Sequence, residues 1–312
     1  MSDAATPRGA CPVCGTALPE RAALVGVDRL LGTPGRFDLR VCASCGSGCT
    51  GPAVAAADLA ALYPAGYGSH ETDDDGGGAL AAIAAALKRA QVALLLRTEP
   101  FAGALGAPGR ALDVGCGRGD LAAALVARGW SADGIEPSER AAAAAGARGV
   151  QIVGPTVADA TLSGGGYDVI VLRHSLEHVL DPVGDLRLLG GALAPGGRLV
   201  ISLPNFGGWQ RRRFGARWFH LDLPRHRVHF TPGSLTLALE RAGLHTQTQS
   251  QSTSVLGLPA SIQYAVAGRC LAPGGMRLRA LAALCCAAFP ATWLADRGGS
   301  GRDTLHVVAV RG

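Results

Sequence analysis

Three sets of residues in this 312-residue chain have the types and spacing for chemistry. Cys11-x-x-Cys14 and Cys42-x-x-Cys45 put two thiols on each of two tight turns, both running straight into glycine ("CPVCG", "CASCG"). Paired CxxC turns fit a closed, tetrahedral four-thiolate Zn²⁺ site with no open position, hence a structural metal. Cys49 is a spare, with a place in Cys45's stead as its alternative. The second set lies in Val171–Pro182, "VLRHSLEHVLDP", where His174, Glu177 and His178 follow the order H-x-x-E-H, and a downstream run, "HLDLPRHRVHFTP", adds His220, His226 and His229. Imidazole either moves protons near neutral pH or ligates a metal. The third set is "ALDVGCGRGD", where Asp113 precedes Gly115, Gly117 and Gly119, with Glu136 some twenty residues on in "GIEPS".

Elements that would position these groups are legible from periodicity. From Arg110 short apolar runs alternate with helical stretches: "RALDV", "SADGIEP", "VQIVG", "YDVIVL", "GGRLVISLP", "LHTQTQSQS" and "DTLHVVAV" read as strands. "GDLAAALVARG", "SERAAAAAGARG", "DPVGDLRLLGGAL" and "TPGSLTLALERAG" read as helices. Such alternation predicts an α/β fold, a Rossmann-like doubly wound, seven-stranded, mostly parallel sheet, preceded by a small zinc ribbon. The expected division is a ribbon over 1–52, a linker over 53–78 that holds the acid-and-glycine run "TDDDGGG", and the main domain over 79–312. Leu80, Ile83, Leu87 and Leu94 recur at helical spacing and lead into it. In sheets of this kind ligands bind at the carboxyl ends of the strands.

The glycine loop lets a ligand approach the main chain closely. It is not the dinucleotide fingerprint: the spacing is G-x-G-x-G, and Asp120 stands where that fingerprint has its third glycine. Asp113 before the loop would repel a pyrophosphate and suits an ammonium group, while Glu136 is placed to accept from both ribose hydroxyls. An adenosyl ligand with a cationic amino-acid tail and no phosphate is S-adenosylmethionine. Across Arg110–Pro204, "LDVGCGRGD", "GIEPS", "YDVIVLRHSLEHVLDP" and "LAPGGRLVISLPN", in that order, resemble a class I S-adenosylmethionine-dependent methyltransferase. The knuckles ahead of it resemble those of bacterial enzymes acting on sugars and secondary metabolites, and the catalytic half is similar to ubiquinone-pathway O-methyltransferases. The resemblance implies that Asp113, Gly115 and Gly117 contact the methionine part and Glu136 the ribose, with Cys116, Pro137 and Arg173 also cofactor-binding. Asp159 in "GPTVADATL" stands in for the acid that relatives offer to the adenine amine.

Within that frame His174–His178 follows the fourth strand of the domain, at the acceptor end of the pocket. A zinc-peptidase reading of H-x-x-E-H needs one long helix and a third ligand, and the strand before it and Asp181-Pro182 after it disagree. Three roles stay open. His178, His226 or His174 is a general base; or these groups bind a second divalent metal, Zn²⁺ or Mn²⁺ rather than Mg²⁺ given the nitrogen-rich set; or Glu177 and His178 merely cap the turn.

Composition narrows the partners. A net charge of +5, with Lys88 the only lysine, gives no strong nucleic-acid signal. An insert over 205–230 carries Trp209, Trp218 and Phe219 among arginines, suited to a small-molecule acceptor such as a sugar nucleotide or a lipid-linked phosphate, or to simple packing. A second insert over 254–300 is apolar with a basic "MRLRALAALCCAAF", which fits a peripheral membrane contact, a homodimer face or a packed helical pair. The start of the chain has no basic-then-apolar leader, so the expected location is cytoplasmic, at most peripheral at the inner membrane surface. The expected activity is methyl transfer to a hydroxyl of a sugar, glycan precursor or secondary metabolite. A non-catalytic donor-binding scaffold and an RNA methyltransferase are the alternatives.

Overall fold

The computed structural model describes residues 9–55, 58, 62–63, 89–98, 100–162, 166–254, 256–270, 290, 293–294 and 301–312. The run "TDDDGGG", the first part of the helix expected from residue 79 and the basic segment "MRLRALAALCCAAF" lie outside them. Residues 89–95 are helical. There Val92 and Leu96 face inward while Leu94, expected on the apolar face, is 64% exposed.

Seven strands form the main sheet: β4 (Arg110–Val114), β5 (Ser131–Ile135), β6 (Gln151–Gly154), β7 (Tyr167–Arg173), β8 (Leu193–Pro204), β10 (Leu244–Ser252) and β11 (Thr304–Arg311). Their order is β10-β11-β8-β7-β4-β5-β6. Pairings from β8 to β6 are parallel, and β11 runs against both its neighbours. The expected seven-stranded, mostly parallel sheet is therefore present. Its centre is β7, whose Val169, Ile170, Val171 and Leu172 are all buried. A strand covered on both faces reads as an unbroken apolar run. Edge strand β10, "LHTQTQSQS", is polar and mostly solvent-facing, which discourages further pairing there.

Helices α1 (Asp120–Val126), α2 (Glu139–Gly146), α3 (Pro182–Ala192), α4 (Trp209–Phe214), α5 (Pro232–Arg241) and α6 (Gly257–Ala267) connect the strands. Their starts are chemically marked. Asp181 accepts from the Gly184 amide ahead of Pro182, and Thr231 and Ser234 form a reciprocal capping box on α5. Strand order diverges at β4, with β5 on one side and β7 on the other, so the glycine loop after β4 opens at the sheet's switch point.

Among the described residues, the strands of the first fifty positions share their sheet with a later segment. Strands β1 (Leu24–Gly26), β2 (Phe37–Val41) and β3 (Gly48–Thr50) are joined by β9 (Val228–His229), which comes from the insert after β8. Gly48 pairs with His229 and Cys49 with Val228. A buried ion network locks the same junction. Arg225 is fully buried and grips Asp28 through two 2.8 Å bonds, while its Nε meets the Asp222 carboxylate at 3.0 and 3.2 Å. Asp28 also accepts from the amides of Leu30, Leu31 and Thr33. Burial alone would raise the Asp28 carboxyl, but the Arg225 bonds and these donors hold it well below the usual range.

Removing one partner of a buried pair strands the other. Arg225→Met is therefore expected to cost about 3–5 kcal/mol of stability, measured by denaturant unfolding, against under about 1 kcal/mol for an exposed arginine such as Arg213.

Candidate functional site

The glycine loop and the histidine turn touch. Gly115 has φ 73°, and a Cβ built on it would lie 2.9 Å from the Ser175 Cβ, so only glycine lets the end of β4 pass the turn after β7. Gly117, at φ 55°, donates its amide to Glu136 Oε2 at 2.8 Å, and Ser138 donates to Glu136 Oε1 at 2.8 Å. Asp113 ends β4 with its side chain buried, and burial pushes its carboxyl up to about 6 against the opposing charge of Arg173. An acid held this way gains from a cation placed against it. These groups suit an ammonium-bearing nucleoside ligand: the buried carboxylate of Asp113, the carboxylate of Glu136 after β5 and a glycine-rich loop between them.

The remaining predicted contacts are placed less directly. Cys116 turns its side chain down among Ala122, Ala132, Ala145 and Val150, so it offers the site only main chain. Pro137 is exposed beside Glu136, and Arg173 is exposed at the end of β7. Asp159 sits on the turn after β6, exposed, with its carboxylate accepting from Thr156 Oγ1 at 2.7 Å.

The three predicted histidines come together but are not equivalent. His174 has a left-handed backbone, φ 55°, held by its amide bond to the Ser202 carbonyl. That turn swings the ring outward, 43% exposed, with Nδ1 3.3 Å from Glu177 Oε1. Glu177 is 2% exposed, and its other oxygen has no hydrogen-bond partner among the described residues. Burial would raise its pKa, yet the His174 hydrogen bond and the neighbouring imidazoles hold it down to about 2. A carboxylate on Nδ1–H leaves Nε2 of His174 as a lone pair at the surface.

His178 and His226 stand behind this pair. His178 Nδ1 lies 2.8 Å from the Tyr63 hydroxyl, and burial lowers its pKa. His226 Nδ1 donates to the His220 carbonyl at 2.9 Å, which leaves Nε2 unprotonated and 3.9 Å from Glu177 Oε1. Burial, then the charge of His178, lowers His226 well below its ordinary value. The rings of His178 and His226 meet edge to face at 4.6 Å. One ligand atom each from Glu177, His178 and His226 fall within 4.8 Å of one another, spacing that could also hold a cation.

Several residues of this wall gave no sign in the sequence. Asp303, wholly buried at the start of β11, lies 3.4 Å from His220 Nε2. At that separation the two atoms make no well-directed hydrogen bond to each other. Arg227 bonds the carbonyls of Pro224, Thr50 and Pro52, and its amide donates to the Glu177 carbonyl at 2.7 Å. Trp218, expected as a stacking face, is 1% exposed and packs near Phe206 and His220. Its burial supports the alternative of simple packing.

The four ribbon sulfurs also converge. Cys11 and Cys45 Sγ are 3.6 Å apart and Cys14 and Cys42 Sγ 3.4 Å, near the roughly 3.8 Å edge of a tetrahedron with Zn–S of ~2.3 Å. Gly15 (φ 80°) and Gly46 (φ 75°) donate back to the carbonyls of Cys11 and Cys42, which is why glycine follows each pair. Cys49 is not one of the four; hydrogen bonds from Cys49 and then Ser47 outweigh burial and lower Cys11 to about 4.

A family model described as a methyltransferase domain matches residues 86–249. The chain is 32% identical to the ubiquinone biosynthesis O-methyltransferase of Aeromonas salmonicida over 154 residues, 45% of this chain and 65% of that protein. It is 34% identical to the enzyme of the same name from Caulobacter sp. over 103 residues, 31% of this chain and 41% of that one. The chain thus spans less than two thirds of the length of these relatives. Among solved structures it is similar to the geranyl diphosphate C-methyltransferase of Streptomyces coelicolor, with 18% identity, TM-score 0.49, and coverage of 80% of this chain and 88% of that chain. The family match takes in the glycine loop, Glu136 and the histidine turn and runs over more than half of the residues, so the chain belongs to the methyltransferase-domain family.

Proposed function

We propose that the protein transfers a methyl group from S-adenosylmethionine to a hydroxyl of a small molecule, such as a sugar, glycan precursor or secondary metabolite, with His174 as general base. The carrying observation is the His174–Glu177 pair, 3.3 Å apart, on a turn that abuts Gly115 of the glycine loop. S-adenosylmethionine, when bound, supplies a methyl group on a sulfonium. Asp113, Gly115, Gly117 and Glu136 would hold it, with Asp113 toward the ammonium group. Glu177 fixes the His174 tautomer, and the exposed Nε2 takes the proton from the attacking hydroxyl. His226, a base candidate from sequence, is buried and better suited to supporting Glu177; His178, the other candidate, is half-buried with its Nδ1 on the Tyr63 hydroxyl, and burial lowers its pKa. A zinc ion on Cys11, Cys14, Cys42 and Cys45 would close the ribbon, and the sulfur spacing supports it.

A second reading is supported by the unpartnered Glu177 Oε2 and the 4.8 Å cluster with His178 and His226: a divalent cation there would hold the acceptor oxygen directly.

Turnover is tested with labelled donor and a panel of hydroxylated small molecules. His174→Ala is expected to lose about 10²–10⁴-fold in turnover with donor affinity within about twofold. Wild-type turnover in that variant together with collapse in His178→Ala would move the base to His178.

Asp113 ionisation couples donor binding to pH. Its folded value of about 6 lies above the ordinary carboxylate value of 3.8, so without donor the ionised form is disfavoured as pH rises between the two. An ammonium group needs the ionised form. Donor affinity is therefore expected to be flat above about pH 6 and to fall up to about tenfold per pH unit below it. Asp113→Asn is expected to weaken binding about 10–100-fold and abolish that slope. Calorimetry across the range reads both.

Metal analysis separates the remaining readings. One zinc per chain, lost in a Cys11→Ser, Cys14→Ser double variant, is the expected result. A second equivalent that survives there and disappears in Glu177→Gln would favour the cation.

A further inference from the structure

Nothing in the chain requires a metal ribbon to touch a methyl-transfer site, yet ribbon residues make the contacts that shape its acceptor wall. The second knuckle runs directly from Cys45 into β3, whose last residue is Thr50. Thr50 Oγ1 donates its one proton to the His226 carbonyl at 2.7 Å. It must therefore accept from His229 Nε2, 3.0 Å away, and that fixes the His229 tautomer. The Thr50 carbonyl accepts from Arg227 Nη2 at 2.7 Å, and the Thr50 amide donates to the Arg227 carbonyl at 3.0 Å. Arg227 in turn donates its amide to the carbonyl of Glu177, the residue that orients His174. At the other end of the segment Asp28, also from the ribbon, clamps Arg225, the residue before His226.

We propose that Thr50 is a positioning residue of the acceptor site and that the ribbon is a working part of it: metal held by the four cysteines sets the order of residues 222–230, and through them of Glu177, while leaving the donor cradle alone. The cradle is built on the carboxyl ends of β4 and β5, which the ribbon strands do not pair with. Four observations point the same way: the β3–β9 pairing, the doubly bonded Thr50 hydroxyl, the Arg227 bridge and the Asp28 clamp. A ribbon that only capped the domain would need none of these bonds to the one segment that carries His226.

The inference takes from the proposed function only the meaning of this wall as the acceptor side. The decisive measurement is amide hydrogen exchange on the full chain, which needs no acceptor, so failure of the coupling and failure of methyl transfer are read separately. Thr50→Val keeps the shape and removes both side-chain bonds; Thr50→Ser keeps them. In Thr50→Val, exchange over 226–229 is expected to speed up about 10–100-fold, the size of two lost hydrogen bonds in a local opening equilibrium. Exchange in β4 and β7, zinc content and the dissociation constant for S-adenosylmethionine should stay at wild-type values, and Thr50→Ser should restore the rest. Chelation of the wild-type chain serves as a second arm that needs no variant to fold: metal loss should raise exchange in 222–230 together with the ribbon, leaving donor binding intact. Unchanged exchange in 222–230 after zinc loss, or equal acceleration throughout the main sheet in Thr50→Val, would overturn the proposal.

Discussion

Arg225 is the residue on which the acceptor side depends. A guanidinium with no solvent exposure is tolerated only when its donors are matched, and two carboxylates from different parts of the chain match them. Asp28 is almost 200 residues away in sequence, so the contact ties the first strands of the chain to the loop after β8. Hydrophobic burial could join these parts in many relative placements, because it is not directional. A bidentate charge pair admits few. The placement it selects sets β9 beside β3 and His226 behind Glu177.

Electrostatics sorts the histidines once that wall is in place. All have the same intrinsic chemistry, and burial separates them. His226 and His229 are driven toward the neutral form by desolvation, His229 to about 3. His174 keeps solvent on one side and a buried carboxylate on the other. Glu177 stays ionised inside the protein because imidazoles surround it, and an ionised carboxylate orients a neighbouring imidazole better than a neutral one. The donor side follows the opposite logic: Asp113 is buried with little to compensate it, which suits a site awaiting a cation.

The methyltransferase fold contributes the donor cradle, and the additions to it contribute the wall. The family match runs from residue 86 to 249, so the knuckles lie outside it and the segment that receives them lies inside. The ribbon thus packs against residues that the family match includes.

The sheet, its helices and the glycine loop were legible in the sequence because they are set by local pattern: apolar runs such as "YDVIVL", caps such as Asp181-Pro182, and glycines whose spacing excludes a dinucleotide. The CxxC pairs were legible for the same reason, since each knuckle is a local turn. Which histidine is most exposed was not legible. H-x-x-E-H specifies three side chains, but their exposure depends on the left-handed turn at His174 and on the packing of residues 222–230 over Glu177. Cys116 shows the same limit, since its position in the loop is local and the direction of its side chain is decided by the helices packed beneath. Local spacing determined what groups this protein has; contacts between residues far apart in the chain decided which of them are buried, and burial sets what each one can do.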